Sequence, residues 1–154
     1  FNVISGRLFL GDAGAYGLGS VLVTSGLFLF SEGVFSAAFL AVLFAYPCID
    51  ILVTVTRRRL KGRSILLPDN DHLHNRVHFH CRNLFRSKTL ANSMTGVLIV
   101  SLSSGIAILG YTQDWWPANS NQWAWVFLAQ CAMYLPTFVV TGLNRPSSQY
   151  VTSQ

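Results

Sequence analysis

The placement of charged residues constrains the fold of this chain more than any other feature. A helix on the surface of a soluble protein needs a polar stripe that faces water. Only 11% of the 154 residues are charged. Asp, Glu, Lys and Arg are absent from four long tracts, which lie between Asp12 and Glu32, Glu32 and Asp50, Lys88 and Asp114, and Asp114 and Arg145. We therefore expect an all-α, polytopic membrane protein with a polar insert.

The four tracts predict four transmembrane helices in a single membrane domain, residues 1–154. Each tract is close to the ~20 residues that cross a hydrocarbon core of ~30 Å. The first and third are also short enough to be buried helices of a soluble fold. The predicted spans are residues 13–30, 34–55, 94–111 and 123–140, and one large basic loop, residues 56–93, separates the second span from the third.

The basic residues predict the orientation of these spans. Nine of the 11 Lys and Arg residues lie between the second and third spans. Arg7 precedes the first span and Arg145 follows the fourth, so an even number of crossings puts all eleven on one face. By the positive-inside rule that face is cytoplasmic. The four tryptophans, Trp115, Trp116, Trp123 and Trp125, are then expected to form a belt at the opposite membrane boundary.

All four histidines lie in the stretch "PDNDHLHNRVHFHC", residues 68–81. They form two H-x-H pairs, His72 with His74 and His78 with His80. Side chains two residues apart in a helix point away from each other. The lead-in "LLPDND" predicts a loop, which would let a pair share a ligand. Two interpretations stay open: a zinc site, or a cradle for phosphate groups assisted by forked donors from Arg57, Arg58 and Arg63.

Two carboxylates lie at or inside the predicted spans. Asp12, in "GDAGAYGLG", suits a magnesium ion that also carries phosphates, but it also suits a helix cap or a carboxylate that reaches the interface. Asp50 lies inside the second span, just after Pro47. Ionisable groups at such depth are usually functional or paired, so Asp50 either belongs to a site or forms a salt bridge with Arg57 or Arg58.

Three stretches together resemble the polyprenyl-phosphate N-acetylhexosamine-1-phosphate transferases of bacterial membranes. "FN" followed by "FLGDAG" is similar to an Asn and an F-[LM]-G-D-x-G element. "YPCIDILVTVTRRRLKGRS" is similar to a P-x-x-D helix with its basic run. "PDNDHLHNR" is similar to a P-D-x-x-H-x-H-H motif, although Asn75 replaces the final His of the motif and Ala15 replaces a Ser after G-D-x-G. The resemblance covers residues 1–77 and is that of the C-terminal portion of such an enzyme, because the paired aspartates of the family are not among these residues.

The resemblance implies transfer of a sugar-1-phosphate from a UDP-N-acetylhexosamine to undecaprenyl phosphate, with release of UMP. This reaction serves the biosynthesis of lipopolysaccharide and other cell-envelope polysaccharides. It implies that Asp12 binds Mg²⁺, with Mn²⁺ as the alternative ion, and that His72 and His74 engage the nucleotide phosphates. The implied substrate-binding residues are Asn2, Arg57, Arg58, Arg63 and Asn75.

The implied location is the bacterial inner membrane, with the active face in the cytoplasm. The expected partners are the two substrates and the lipid bilayer, with room for a homodimer and no nucleic acid. Two other functions stay open from the residues themselves. One is a membrane metal-binding or transport module that uses both H-x-H pairs, with Asp50 in the pathway. The other is a non-catalytic membrane fragment.

Overall fold

A computed structural model describes residues 11–62, 64 and 71–143 of the chain, and within these ranges every regular element is helical. The elements are α1 (Gly11–Ser31), α2 (Ala37–Leu43), α3 (Ala45–Leu60), α4 (Leu73–Leu84), α5 (Lys88–Val100), a π-helical segment (Ser101–Gly105), α6 (Ile106–Thr112) and α7 (Trp123–Leu143). The all-α prediction is confirmed.

Three helical segments of the described chain are long and apolar enough to cross a membrane. They are α1, the continuous run Lys88–Thr112 formed by α5, the π-helical segment and α6, and α7. These contain the predicted spans 13–30, 94–111 and 123–140. A fourth candidate is the pair α2 and α3, which is bent by 81°. The chain is a polytopic helical membrane protein with three to four spans, and the predicted span 34–55 is broken rather than straight.

The break at Phe44 is stabilised by hydrogen bonds to the π-helical segment. Phe44 ends α2 and precedes α3, and Pro47 lies in the first turn of α3, where a missing amide hydrogen costs little. The Tyr46 amide donates to Ser103 Oγ at 3.0 Å, and Ser104 Oγ donates to the Leu43 carbonyl at 2.8 Å. Polar groups freed where two helices depart from α geometry therefore satisfy each other within the bundle.

Gln130 on α7 completes this junction. Its side-chain amide donates to the carbonyls of Leu102 and Ser103, both at 3.2 Å. A π-helical turn shifts the usual backbone hydrogen bonds and leaves carbonyls in need of donors. One polar side chain, Gln130, in a span without charged residues thus joins α7 to the place where the α5–α6 run departs from α geometry.

The loops that follow α1 and α6 lie at the same end of the bundle. The Ser36 amide donates to the Ala118 carbonyl, and Ser36 Oγ donates to the Ser120 carbonyl, both at 2.9 Å. Beneath them a core forms from Phe39, Val42, Ala107, Ala118 and Trp123. Trp123 is fully buried there and packs inside the protein, and its place at the membrane boundary stays a prediction. Trp115 and Trp125 are exposed, as a belt requires.

The opposite end of the bundle is built from α3, α4 and α7, around a second core of Ala45, Ile49, Leu73, Tyr134 and Phe138. Within the predicted basic loop, the structure has the helix α4, so the loop predicted around the histidines is wrong over residues 73–84. Because α2 starts at one end and α3 finishes at the other, the bent pair crosses from end to end. The helix α1 packs little: Gly26 is its one buried residue, and its apolar side chains face outwards.

Candidate functional site

The candidate site lies where α3, α4 and α7 meet, and its centre is the buried carboxylate of Asp50. This residue follows the first turn of α3 and is only 6% exposed. It accepts hydrogen bonds from His72 Nδ1 at 2.6 Å, from the Leu73 amide at 3.1 Å and from the Tyr134 hydroxyl. Three donors on one carboxylate offset the cost of burying its charge. We call Asp50, His72 and Tyr134 the Asp50 cluster.

The partner of Asp50 decides between the two interpretations of that residue. Among the described residues, neither Arg57 nor Arg58 pairs with it, so the predicted salt bridge to either arginine is wrong. Asp50 instead holds the beginning of α4, through the side chain of its N-cap residue, His72, and through the amide of its first residue, Leu73.

His72 and His74 lie side by side at the N-terminus of α4. His72 has extended backbone angles, φ −91° and ψ 155°, and His74 lies in the first helical turn. Their rings are stacked, with centroids 5.6 Å apart and planes inclined by 11°. A helix N-terminus carries partial positive charge and favours anions. The extended N-cap backbone thus lets the two rings lie in contact. A ligand shared by the pair stays a prediction.

The two rings make different hydrogen bonds. His72 turns Nδ1 towards the Asp50 carboxylate, whereas His74 Nδ1 lies 2.8 Å from the Tyr46 hydroxyl. Burial lowers the pKa of His74, and the neighbouring His72 lowers it further. His74 is therefore neutral at pH 7. In the tautomer that accepts from Tyr46 at Nδ1, the ring hydrogen is on Nε2 and can be donated to a ligand.

A second ionic group orients α4 from the other side. Asp71 accepts from Arg76 Nε and Arg76 Nη2, both at 2.8 Å, and from Arg57. Arg57 also donates to the Asp71 carbonyl at 3.2 Å. The guanidinium carbon of Arg76 lies over the Phe138 ring, 3.6 Å from its centroid, and Nη1 donates to the Phe138 carbonyl. Arg57 thus connects the end of α3 to the segment that enters α4.

The structure places the predicted substrate-binding residues unevenly. Arg57 is bound to Asp71, and Arg58 is buried in the last turn of α3. Asn75 is half-buried and directly follows His74. Its backbone amide donates to the His72 carbonyl at 3.1 Å. Asn2 and Arg63 lie outside the described residues. A contact of these side chains with substrate stays a prediction.

Asp12 lies in the first turn of α1 and is exposed. None of the described residues hydrogen-bonds to it, so the structure does not bring it against His72 or His74. Mg²⁺ is held in many phosphate sites by one or two carboxylates, with water and substrate oxygens at its other positions. A single accessible carboxylate is compatible with that donor set, and magnesium binding by Asp12 stays a prediction.

His78 and His80 do not act together. Both lie inside α4, and side chains two residues apart point to different sides of a helix. His80 Nε2 lies 3.3 Å from the Thr141 carbonyl, so this ring packs against the end of α7. Across the described ranges there is no group of three or more His, Cys, Asp or Glu side chains placed to hold a metal ion.

A groove of about 320 Å³ opens beside His74. The wall contributed by α5 is mainly apolar and consists of Asn92, Ser93, Thr95, Gly96, Ile99 and Val100. Sequence reasoning assigned no role to these residues, since Asn and Ser in a helix carry no signal of their own.

Sequence reasoning also missed Tyr46, Tyr134 and Phe138. Each lies in an apolar tract, where a tyrosine or phenylalanine is an ordinary core or interface residue. The hydroxyl groups of the two tyrosines offer a weak signal, because a hydroxyl inside a span needs a partner. Nothing in the sequence shows that the partners are His74 and Asp50.

Comparison with known proteins adds one relative to this geometry. Over 140 residues the chain is 25% identical to an undecaprenyl-phosphate alpha-N-acetylglucosaminyl 1-phosphate transferase of Thermotoga maritima. The match covers 91% of this chain and 42% of the relative, so the chain spans about two fifths of the length of that protein. No protein-family model matches the chain, and no solved structure matches it significantly.

Proposed function

We propose that this chain carries the nucleotide-phosphate half of a membrane phosphotransferase. The reaction moves N-acetylhexosamine-1-phosphate from UDP-N-acetylhexosamine to undecaprenyl phosphate at the cytoplasmic face of a bacterial inner membrane. It serves cell-envelope polysaccharide biosynthesis. The observation that carries the proposal is the stacked pair His72 and His74 at the N-terminus of α4. The name of the Thermotoga maritima relative supports the same chemistry.

The proposed reaction is a phosphoryl transfer with a simple balance of bonds. An oxygen of the lipid phosphate attacks the phosphorus that bears the sugar. The bond from this phosphorus to the bridging oxygen of the diphosphate breaks, and that oxygen leaves with UMP. A site for such a reaction must align attacking and leaving oxygens and neutralise the charge on the diphosphate.

The residues around α4 supply donors for that charge. His74 offers Nε2–H, because its Nδ1 accepts from Tyr46. His72 has Nδ1 held by Asp50, so its Nε2 is the nitrogen left for substrate and donates when the ring is cationic. The N-terminus of α4 adds its partial positive charge. The groove beside His74, with Asn92 and Ser93 on its wall, has room for the sugar.

Asp12 is the residue that would hold Mg²⁺, with its other positions filled by water and phosphate oxygens. When bound, the metal would supply charge neutralisation at the diphosphate. Attraction of the anionic substrates is the role proposed for Arg57 and Arg58. Arg57 also forms the ion pair with Asp71 that holds the segment before α4.

The experiment compares two histidines of one helix. UMP release from UDP-N-acetylglucosamine and undecaprenyl phosphate is measured with the intact protein and with His74→Ala and His80→Ala. We expect His74→Ala to lower kcat/KM about tenfold or more, because a donor to a charged phosphate contributes about 1.5–3 kcal/mol. His80 contacts the end of α7 instead.

His80→Ala should therefore keep most of the activity. Equal loss in both variants would overturn the proposed role of His74. Absence of UMP release and of lipid-linked sugar from the folded intact protein, with UDP-N-acetylgalactosamine also tried as donor, would overturn the proposed function.

A further inference from the structure

The Asp50 cluster contains more than is needed to fix a helix. To hold the Leu73 amide and the Tyr134 hydroxyl, the side chain at position 50 needs one acceptor oxygen, and both groups donate to the same atom, Oδ1. An asparagine would provide it without burying a charge. The second oxygen, Oδ2, is used by His72 Nδ1 at 2.6 Å. A buried carboxylate is costly unless it is well paired.

The short contact to His72 is the contact that uses the charge of Asp50. A carboxylate can only accept a hydrogen bond, so His72 carries its hydrogen on Nδ1. A carboxylate behind one ring nitrogen orients the ring and stabilises its cationic form, because hydrogen bonds between ionised partners are about twice as strong as neutral ones. The side chain of His72 is 28% exposed, whereas that of Asp50 is 8% exposed. Because Asp50 engages Nδ1, Nε2 is the ring nitrogen of this part-exposed side chain that is left to meet a ligand.

The groups around His72 come from three helices. Asp50 and Tyr46 belong to α3, His74 and Arg76 to α4, and Tyr134 to α7. Among them Asp50 is the one carboxylate that contacts His72, and Arg76 is already bound to Asp71. His74 accepts from Tyr46, which favours its neutral form. His72 therefore has a carboxylate as its partner, whereas His74 has a hydroxyl group.

We propose that Asp50 is a positioning residue that makes His72 the cationic member of the stacked pair, and that Tyr134 holds Asp50 in place for this purpose. His72 then meets the diphosphate with a charged Nε2–H, while His74 contributes a neutral donor. This inference rests on the proposed function for the identity of the ligand. The protonation of His72 itself is a property of the chain and can be measured without turnover.

The lowered pKa of His74 agrees with this division, because His72 lowers it further beyond the main effect of burial. Two stacked imidazoles with centroids 5.6 Å apart repel each other if both are charged. One cation and one neutral ring avoid that repulsion and still give two donors for the phosphates.

The test uses ¹⁵N NMR of the intact protein labelled at its histidines. The chain has four histidines, and single His→Gln variants assign the signals of these four. At pH 7 we expect both ring nitrogens of His72 to be protonated, while His74 has one protonated and one bare nitrogen. In Asp50→Asn the amide NH₂ replaces Oδ2, and we expect His72 to become neutral with a bare Nδ1. Unchanged His72 signals in this variant, or a neutral His72 in the wild type, would overturn the inference.

Kinetics provide the second readout. Asp50→Asn should raise the KM for the UDP-sugar about tenfold, because a charge-assisted bond is replaced by a neutral one. Tyr134→Phe removes one of three donors to Asp50 and should raise KM less, and it keeps the test usable if Asp50→Asn does not fold. Tyr111→Phe, with an exposed tyrosine at the other end of the bundle, is the control and should leave KM unchanged.

The outcomes separate the two levels of the proposal. If the expected NMR change is seen in a protein without transferase activity, the role of Asp50 stands and the proposed function is wrong. If the protein has transferase activity and neither Asp50→Asn nor Tyr134→Phe changes its KM, the proposed function stands and the role of Asp50 is wrong.

Discussion

Arg76 and Phe138 make the contact that joins α4 to α7. The guanidinium carbon lies 3.6 Å from the centre of the Phe138 ring, and Nη1 donates to the Phe138 carbonyl. Arg76 is buried, and its other nitrogens bind Asp71. A desolvated cation over an aromatic face contributes about 2 kcal/mol. Because α4 carries His72 and His74, this contact sets the position of the candidate site relative to α7.

Gly142→Ala should disturb that contact. A methyl group at position 142 would overlap Arg76 Nη1, and the buried ion pair leaves the guanidinium little freedom to move. We expect the free energy of unfolding to fall by about 1–3 kcal/mol, as for other overpacked sites. Thermal unfolding in detergent measures it. Gly19→Ala is the matched control, since nothing lies within 4 Å of a methyl group there. If both variants unfold at the same temperature, Arg76 is not held as described.

The bent pair α2 and α3 should cross the membrane. The hydrogen bonds from Ser36 to Ala118 and Ser120 place the loops 32–36 and 113–122 at one end of the bundle. In a variant without native cysteines, Glu32→Cys and Asn119→Cys should react with an impermeant reagent added to intact cells. Asn83→Cys, in the basic segment, should react only after the cells are opened. Labelling of positions 32 and 119 from opposite sides would mean that the pair is re-entrant.

The membrane spans could be predicted from the sequence, because the hydrophobicity of each tract determines them locally. An uncharged tract near twenty residues long has few alternatives to a span, whatever its neighbours are. The break at Phe44 was not predictable in this way, because it depends on hydrogen bonds to Ser103 and Ser104, which are far along the chain. Pro47 indicated only that the helix is weakened nearby.

The helix α4 could have been predicted if the spacing of its apolar residues had counted for more than the proline that precedes it. Leu73, Val77, Cys81 and Leu84 recur at helical spacing, which is the pattern of an amphipathic helix. The Pro68 lead-in drew attention to a loop instead. The clustering of histidines pointed to His72 and His74, whose rings are in contact, and equally to His78 and His80, which are not paired. The partners of the first pair, Asp50 and Tyr46, come from another helix and are fixed by tertiary packing.

Asp12→Asn should abolish most of the proposed turnover without loss of protein. Asp12 is an exposed carboxylate in the first turn of α1, and none of the described residues depends on it for a hydrogen bond. A metal that neutralises a phosphoryl oxygen contributes several kcal/mol, so we expect a loss on the order of a hundredfold or more at saturating Mg²⁺. Asp114→Asn, an exposed carboxylate in the loop at the other end of the bundle, is the control. Activity above about a tenth of wild type would mean that Asp12 is not an essential metal ligand.

The last prediction concerns the titration of His74. Burial, and then the neighbouring His72, lower its pKa below the ordinary value of about 6.5. Between the two values the unfolded chain binds more protons than the folded chain, so His74 makes the free energy of unfolding rise with pH. The stabilising contribution of His74 is complete above about pH 6.5 and is lost as the pH falls through the lowered pKa.

Histidine ¹⁵N titration of His72→Gln should show a higher pKa for His74 than in the wild type, although burial keeps it below the ordinary value. His78→Gln removes a smaller influence and should raise this pKa less. A His74 pKa that is unchanged in His72→Gln would show that the two stacked rings do not interact electrostatically.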